Sequence, residues 1–328
     1  MFEFHWRVSE SGFEWVRHKY FEAKGEVGEV EYLAEVGDVW PSQPRVPISY
    51  RTYEPLKRSA LFKVLAGVDP TPAGILAFAN EYGTLGDSAE RVIVDGGSGY
   101  PPRTTSSQSL SVWRREIVRM RHAVALWEAI KQGDSGFLSQ HIQWDAPHNT
   151  ARMNGFTYTV STIFTMTFTL PSGMPEIDAM LNLGDPIWPA RLALREYVNY
   201  RLKELTLAPE IGWNYVHGKL HERIHFVPGD LVSALWLQLA KAIEGDLEYS
   251  QCDECGDWYE ISGDRRADAR FCSNPCRFKA YRKRQKEALR LHAAGVPPKD
   301  IAKQLGSDAK TVKGWIAKGT RDVKTKTR

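Results

Sequence analysis

Two short stretches, Cys252-Asp253-Glu254-Cys255-Gly256 and Phe271-Cys272-Ser273-Asn274-Pro275-Cys276, decide how this chain reads. Each places two thiols within one tight turn, and 16 residues separate the pairs. They hold all four cysteines of the 328-residue chain. In a reducing compartment such a cluster favours a metal over disulfides. Tetrahedral zinc takes four thiolates at about 2.3 Å, and a site closed by four cysteines is structural. Zn2+ is therefore the expected cofactor, with Cys252, Cys255, Cys272 and Cys276 as ligands; an iron–sulfur cluster is the competing occupant. Gly256 suits the positive φ of a knuckle turn. Ser273-Asn274-Pro275 reads as a helix start, which puts Cys276 in a first turn where the dipole favours a thiolate. Knuckle, hairpin and helix describe a treble-clef-like four-cysteine zinc finger over 249–285. It is too small to bury much core, so the metal is expected to supply most of its folding energy.

The sequence beyond the last cysteine is basic. Arg277, Lys279, Arg282, Lys283 and Arg284 fall on the helix leaving the finger, followed by Lys286 and Arg290. Phe278 and Tyr281, three apart, are expected to pack back on the finger. From Gln251 onward there are 19 basic and 10 acidic residues, against 24 basic and 30 acidic in the rest. A mildly acidic body with a basic end is the distribution of a nucleic-acid-binding arm, and such an arm binds phosphates in a salt-dependent way.

Residues 286–320 carry a second pattern. Ala302, Gly306 and Val312 stand at offsets of four and six. A small residue there permits a close helix crossing, and a glycine permits the left-handed turn between helices. Ile301, Leu305, Val312 and Trp315 are expected to face one another, with the helix Glu287–Ala294 as third member. This spacing resembles the helix-turn-helix of DNA-binding proteins, such as those of DNA invertases and transposase-type proteins. The resemblance implies that the second helix enters the major groove by its N-terminal residues, here Asp308, Lys310, Thr311 and Lys313. Lys318 and the basic tail 321–328 follow as backbone or minor-groove contacts.

The N-terminal body, 1–248, reads as mixed α and β. Thr71-Pro72 starts a helix that ends at Gly83. Residues 84–108, with Gly96-Gly97-Ser98-Gly99, read as a mobile loop that divides the body into two subdomains. Trp113, Ile117, Met120, Val124, Trp127 and Ile130 form one helical stripe that stops at Gly133. Phe156–Leu170 alternates like a strand, or a bent pair of strands, with one apolar and one threonine-rich face. A helix over Pro189–Leu205, a short strand over Leu220–Val227 and an Asp230-capped helix before Gly245 complete the body. The fold class is α+β: a mixed body, a treble-clef-like zinc finger built on four cysteines and a C-terminal trihelical helix-turn-helix.

His221-Glu222-Arg223-Ile224-His225 matches the H-E-x-x-H of zinc proteases. Its alternation reads as a strand, which sets the two histidines about 13 Å apart; His217 extends the series. His141, His148 and Asn149 lie roughly 100 residues before the finger and make a poor match to a treble-clef nuclease. No catalytic residue is assigned, and the chain is not expected to be an enzyme. Met1–Arg7 does not read as a secretory signal, and no run approaches the roughly 18 apolar residues of a membrane span. A cytoplasmic protein without membrane contact is the expectation.

Phe78-Ala79-Asn80-Glu81-Tyr82-Gly83, the Trp113–Ile130 helix, Tyr197-Val198-Asn199 and Ala234-Leu235-Trp236-Leu237-Gln238 precede the cysteines in a particular layout. With Phe271-Cys272-Ser273 and Cys276-Arg277, then Tyr281-Arg282 and Arg284, it resembles bacterial proteins in which an ABATE-type domain precedes a CGNR-type zinc finger. That family's Gly-Asn-Arg after the last cysteine is here Arg277-Phe278-Lys279, and the helix-turn-helix is an addition to its plan. The resemblance implies a stress-induced transcription regulator. The expected partner is double-stranded DNA, read by a homodimer on paired half-sites, with a small-molecule ligand for the N-terminal body. The alternative is an N-terminal enzyme, or a mobile-element or defence-complex component, that the basic end tethers to nucleic acid.

Overall fold

The computed structural model describes residues 4–21, 27–36, 49–86, 93–94, 103–104, 108–145, 150–154, 165–169, 186–216, 219–261 and 269–326. The chain is mixed α+β, with helices and small antiparallel sheets. It divides into two compact units, Met1–Asp246 and Leu247–Arg328.

The first unit opens with β1 (Trp6–Ser9), β2 (Phe13–Phe21), β3 (Val27–Glu35) and β4 (Tyr50–Tyr53). β1 pairs with β4 and β2 with β3. Two helices follow, α1 (Leu61–Gly67) and α2 (Pro72–Tyr82). The Thr71 hydroxyl accepts the Gly74 N–H at 3.2 Å, as its cap position requires. Gly83 ends α2 at φ +89°, and a Cβ there would lie 2.7 Å from the Trp6 indole nitrogen. Only glycine meets both demands. Within the stretch expected to be a loop, β5 (Ile93–Val94) pairs with β6 (Arg103–Thr104). Gly96–Gly99 lie outside the described residues.

The long α3 (Leu110–Gln132) starts at Ser109, whose side chain accepts the Val112 N–H, and stops at Gly133 in the left-handed region. All six stripe residues are buried, none more than 8% exposed. Each such side chain contributes about 1.5–3 kcal/mol by leaving water. Next come α4 (Ser135–His141) and a three-stranded antiparallel sheet of β7 (Ile142–Asp145), β8 (Thr150–Asn154) and β9 (Thr165–Thr169). β9 covers only the end of the strand expected over Phe156–Leu170; residues 156–164 and Leu170 lie outside the described residues. Then come α5 (Ile187–Glu204), β10 (Leu207–Val216), β11 (Lys219–Pro228) and α6 (Leu231–Glu244). β10 and β11 form a ten-pair hairpin. β10 is absent from the sequence reading because Pro209 and Gly212 interrupt its pattern. The core sits where α3 meets α1 and α5, and α6 meets α1 and α5, around Trp113, Trp236, Phe62, Leu65 and Leu126. Inside it, the Arg201 guanidinium donates to Glu116 at 2.7 Å, with both side chains buried.

The second unit contains β12 (Tyr249–Gln251), β13 (Trp258–Glu260), α7 (Asn274–Ala293), α8 (Pro298–Gln304) and α9 (Ala309–Lys326). α7 is one uninterrupted 20-residue helix, about 30 Å long at 1.5 Å per residue. It runs through the 285/286 boundary drawn from the sequence. α7, α8 and α9 enclose a small core of Ala288, Ile301, Ala302, Val312 and Trp315, with Leu291, Val296 and Leu305 packed on it. Gly306 turns the chain between α8 and α9 at φ +55°. No helix among the described residues is long and apolar enough to cross a membrane.

Candidate metal centre

β12 and β13 pair in three positions and lead both ends of the knuckle to one place. The Cys252 N–H donates to the Asp257 carbonyl at 2.9 Å, and the Gly256 N–H donates to the Cys252 carbonyl at 2.8 Å. Gly256 closes this turn at φ +78°. Across the site, the Asp253 N–H donates to the Arg270 carbonyl at 3.0 Å, and the Arg270 guanidinium holds the Asp253 carboxylate at 2.6 Å. The Tyr259 hydroxyl donates to the Ala269 carbonyl. These bonds join the knuckle to the segment carrying the second cysteine pair. The Ser273 hydroxyl accepts the Cys276 N–H and starts α7, which puts Cys276 in its first turn.

The four cysteine sulfurs all lie within 4.8 Å of one another. Cys255 and Cys272 are 3.6 Å apart, and Cys272 and Cys276 are 3.5 Å apart. Four sulfurs at about 2.3 Å from one tetrahedral ion stand about 3.8 Å from each other, so the cluster fits a single metal ion. Among the described residues it is the one group of ligand-type side chains so gathered. Its protonation chemistry points the same way. Burial works against ionising Cys252, but backbone N–H groups of Cys272, Cys255 and Glu254 bring its thiol down to about 6. Burial and the neighbouring sulfurs push Cys255 upward, and burial pushes Cys272 upward. Sulfurs this close repel one another as thiolates unless a cation neutralises them.

One residue the sequence reading missed organises the basic helix. The Glu254 side chain, between the first two cysteines, is only 5% exposed, and Lys283 and Lys279 reach it at 2.6 Å and 3.4 Å. Lys283 beside it holds the Glu254 carboxyl below the usual range. Lys279 and Lys283, read from the sequence as DNA contacts, thus form ion pairs with the knuckle. Nothing local in the sequence signals this, because the partners stand 25 and 29 positions apart. Arg277 and Arg282 on the same helix are exposed, and Arg284 is half-buried. The expectation for Phe278 and Tyr281 needs correction. Phe278 is exposed, and Tyr281 turns to the three-helix core, where its hydroxyl accepts the Trp315 indole N–H at 2.6 Å and the rings meet edge to face. Trp315 wins Tyr281 because a buried indole needs an acceptor. At the start of α9, Asp308, Lys310, Thr311 and Lys313 are all exposed, as is Lys318 further along the helix.

The H-E-x-x-H segment lies on β11, with His221 opposite Asn214 and His225 opposite Glu210. Four residues of strand rise set these two backbone positions about 13 Å apart; His217 lies outside the described residues. His141 ends α4 beside His122 and Phe137, while His148 and Asn149 lie outside the described residues. No protein-family model, curated protein or solved structure matches this chain.

Proposed function

We propose that Leu247–Arg328 is a zinc-stapled, double-stranded-DNA-binding module, and that the protein is a transcription regulator of the ABATE/CGNR type. The observation that supports this reading is the continuity of α7. It begins on the cysteine cluster at Cys276 and ends packed against α8 and α9 through Ala288 and Leu291. A metal at the cysteines therefore orders the start of the same rod that supports the three-helix core. In this reading α8 and α9 are the helix-turn-helix, with Ala302 at the close crossing and Gly306 in the turn. The N-terminal residues of α9, Asp308, Lys310, Thr311 and Lys313, meet base edges in the major groove. Arg277, Arg282, Arg284 and Lys318 meet phosphates, while Lys279 and Lys283 brace the helix against Glu254. Zinc is structural here: the cysteines hold it, and it neutralises four thiolates.

The testing experiment is selection from a random double-stranded DNA pool at two salt concentrations, with the retained fraction sequenced. An enriched motif in two half-sites about one helical turn apart supports a homodimeric regulator. Salt-sensitive retention without a motif reduces the unit to a nonspecific anchor. No retention overturns the reading. Lys310→Ala with Lys313→Ala is expected to remove about 1–3 kcal/mol per lost base contact from specific binding. Equal loss on all DNA would assign both lysines to phosphates.

A further inference from the structure

Where α3 and α6 end, at Gly133 and Gly245, they and α5 leave a cavity of ≈ 560 Å³. Cavities that hold small organic molecules have this size. Its inner wall is apolar and buried, formed by Trp127, Ile130, Leu194 and Val198. Ala240 and Ile243, both half-buried, stand nearer the mouth. The rim is charged. Arg191 and Arg195 line it from α5, four residues apart and thus neighbours on one helix face. Lys131 lines it from α3, the exposed carboxylate of Glu244 from the end of α6, and Asp246 from the end of the unit. Lys131 lies 5.4 Å from the Trp127 ring centre and 3.1 Å from both the carbonyl and the carboxylate of Asp246. Asp246 holds a left-handed φ of +45°, a position L residues adopt at a cost.

We propose that this cavity binds an amphipathic organic anion, its hydrocarbon or aromatic body on Trp127, Leu194 and Val198 and its carboxylate on Arg191 and Arg195. Each guanidinium presents a planar pair of N–H donors that matches the two oxygens of a carboxylate, and two such groups one turn apart gather positive charge at the rim. Arg195 is now paired with Glu196 at 2.7 Å, an exposed contact that an entering carboxylate can replace. Lys131 stands at the same rim, so an anion that attracts its ammonium loosens its grip on Asp246. Asp246 is the last residue of the first unit. The proposed site stands whether or not the C-terminal unit binds DNA.

The test is ligand-observed NMR and calorimetry on the full chain, with a panel of carboxylates from benzoate and 2-naphthoate to decanoate and the matching primary amides. The expected result is saturable binding of the larger acids, about tenfold tighter than their amides. Ala240→Trp, which fills the mouth, should abolish binding of acid and amide alike. Arg191→Gln with Arg195→Gln should bring the acid to the affinity of its amide and leave the amide unchanged. Thermal unfolding and metal content confirm that each variant is folded, and the arginine pair, being at the rim, keeps the test valid if Ala240→Trp does not fold. Failure of every acid to bind at millimolar concentration, equal affinity of acids and amides, or undiminished binding in a folded Ala240→Trp protein would each overturn the proposal.

Discussion

Met1–Asp246 buries Trp113, Trp236, Phe62, Leu65, Ile117 and Met120 almost completely, whereas the described residues of Leu247–Arg328 bury little beyond Cys252, Tyr259 and the five-residue core around Trp315. The first unit has enough apolar surface to hold itself together through the hydrophobic effect. The second gathers four sulfurs within 4.8 Å at one end of a long helix and a tiny core at the other. A module with so small a core and a four-cysteine cluster is expected to depend on a metal for its stability. The first unit is therefore vulnerable to cavities in its core, the second to loss of its cysteines.

Metal removal is expected to have the largest effect and to fall on the second unit. Chelation, or Cys272→Ser, is expected to unfold the cysteine knuckle and the start of α7 while the first unit keeps its melting transition, because the proposed zinc, held by four thiolates, would contribute about 10–16 kcal/mol. Calorimetry with metal quantification checks this. A Cys272→Ser protein that kept both full metal content and two normal transitions would sink the four-thiolate assignment. Core truncation comes next and should act in mirror image. Trp236→Ala is expected to cost the first unit about 3–5 kcal/mol and leave metal content unchanged. Trp315→Ala should loosen α7, α8 and α9, seen as lost helical circular dichroism, because it removes both the core indole and the partner of Tyr281.

Acid should act on the first unit through one buried histidine. Burial, and the neighbouring His141, lower the His122 pKa from 6.5 to about 4. The unfolded chain then binds a proton that the folded one refuses between these values. This contribution to stability is full above pH 6.5 and lost as pH falls toward 4. A shift of this size corresponds to about 3 kcal/mol, and it acts on the first unit alone. His122→Gln should flatten the pH dependence of that unit's denaturant midpoint between pH 6.5 and 4; an unchanged slope would remove His122 from the account. Helix caps give the smallest difference. Asp230, buried, accepts the Ser233 N–H at 3.0 Å, whereas Ser273, exposed, accepts the Cys276 N–H at 3.5 Å. Asp230→Ala is expected to cost about 2 kcal/mol and Ser273→Ala about 0.5 kcal/mol in thermal unfolding of the respective units. The reverse order would mean that the cap beside the cysteine cluster, not the buried one, is the stronger.

Features carried by local chemistry were legible in the chain itself. Thr71, Asp230 and Ser273 cap helices because a short side-chain oxygen can reach an N–H two or three residues on. The Trp113–Ile130 stripe has the helical period, and Gly133, Gly256 and Gly306 stand where the backbone turns left-handed. The cysteine spacing announced a shared site, since two close pairs need only one fold of the chain to meet. Other features waited for the tertiary structure. β10 carries a proline and a glycine, and its partner β11, across the ladder, makes it a strand. Glu254 drew Lys279 and Lys283 to the knuckle, and Trp315 drew Tyr281 away from the finger, across separations that no periodicity encodes. The cavity rimmed by Lys131, Arg191 and Arg195 belongs to three helices distant in sequence. Period and capping are set by neighbours along the chain, whereas ion pairs, ring contacts and cavities are set by packing, which only the folded chain decides.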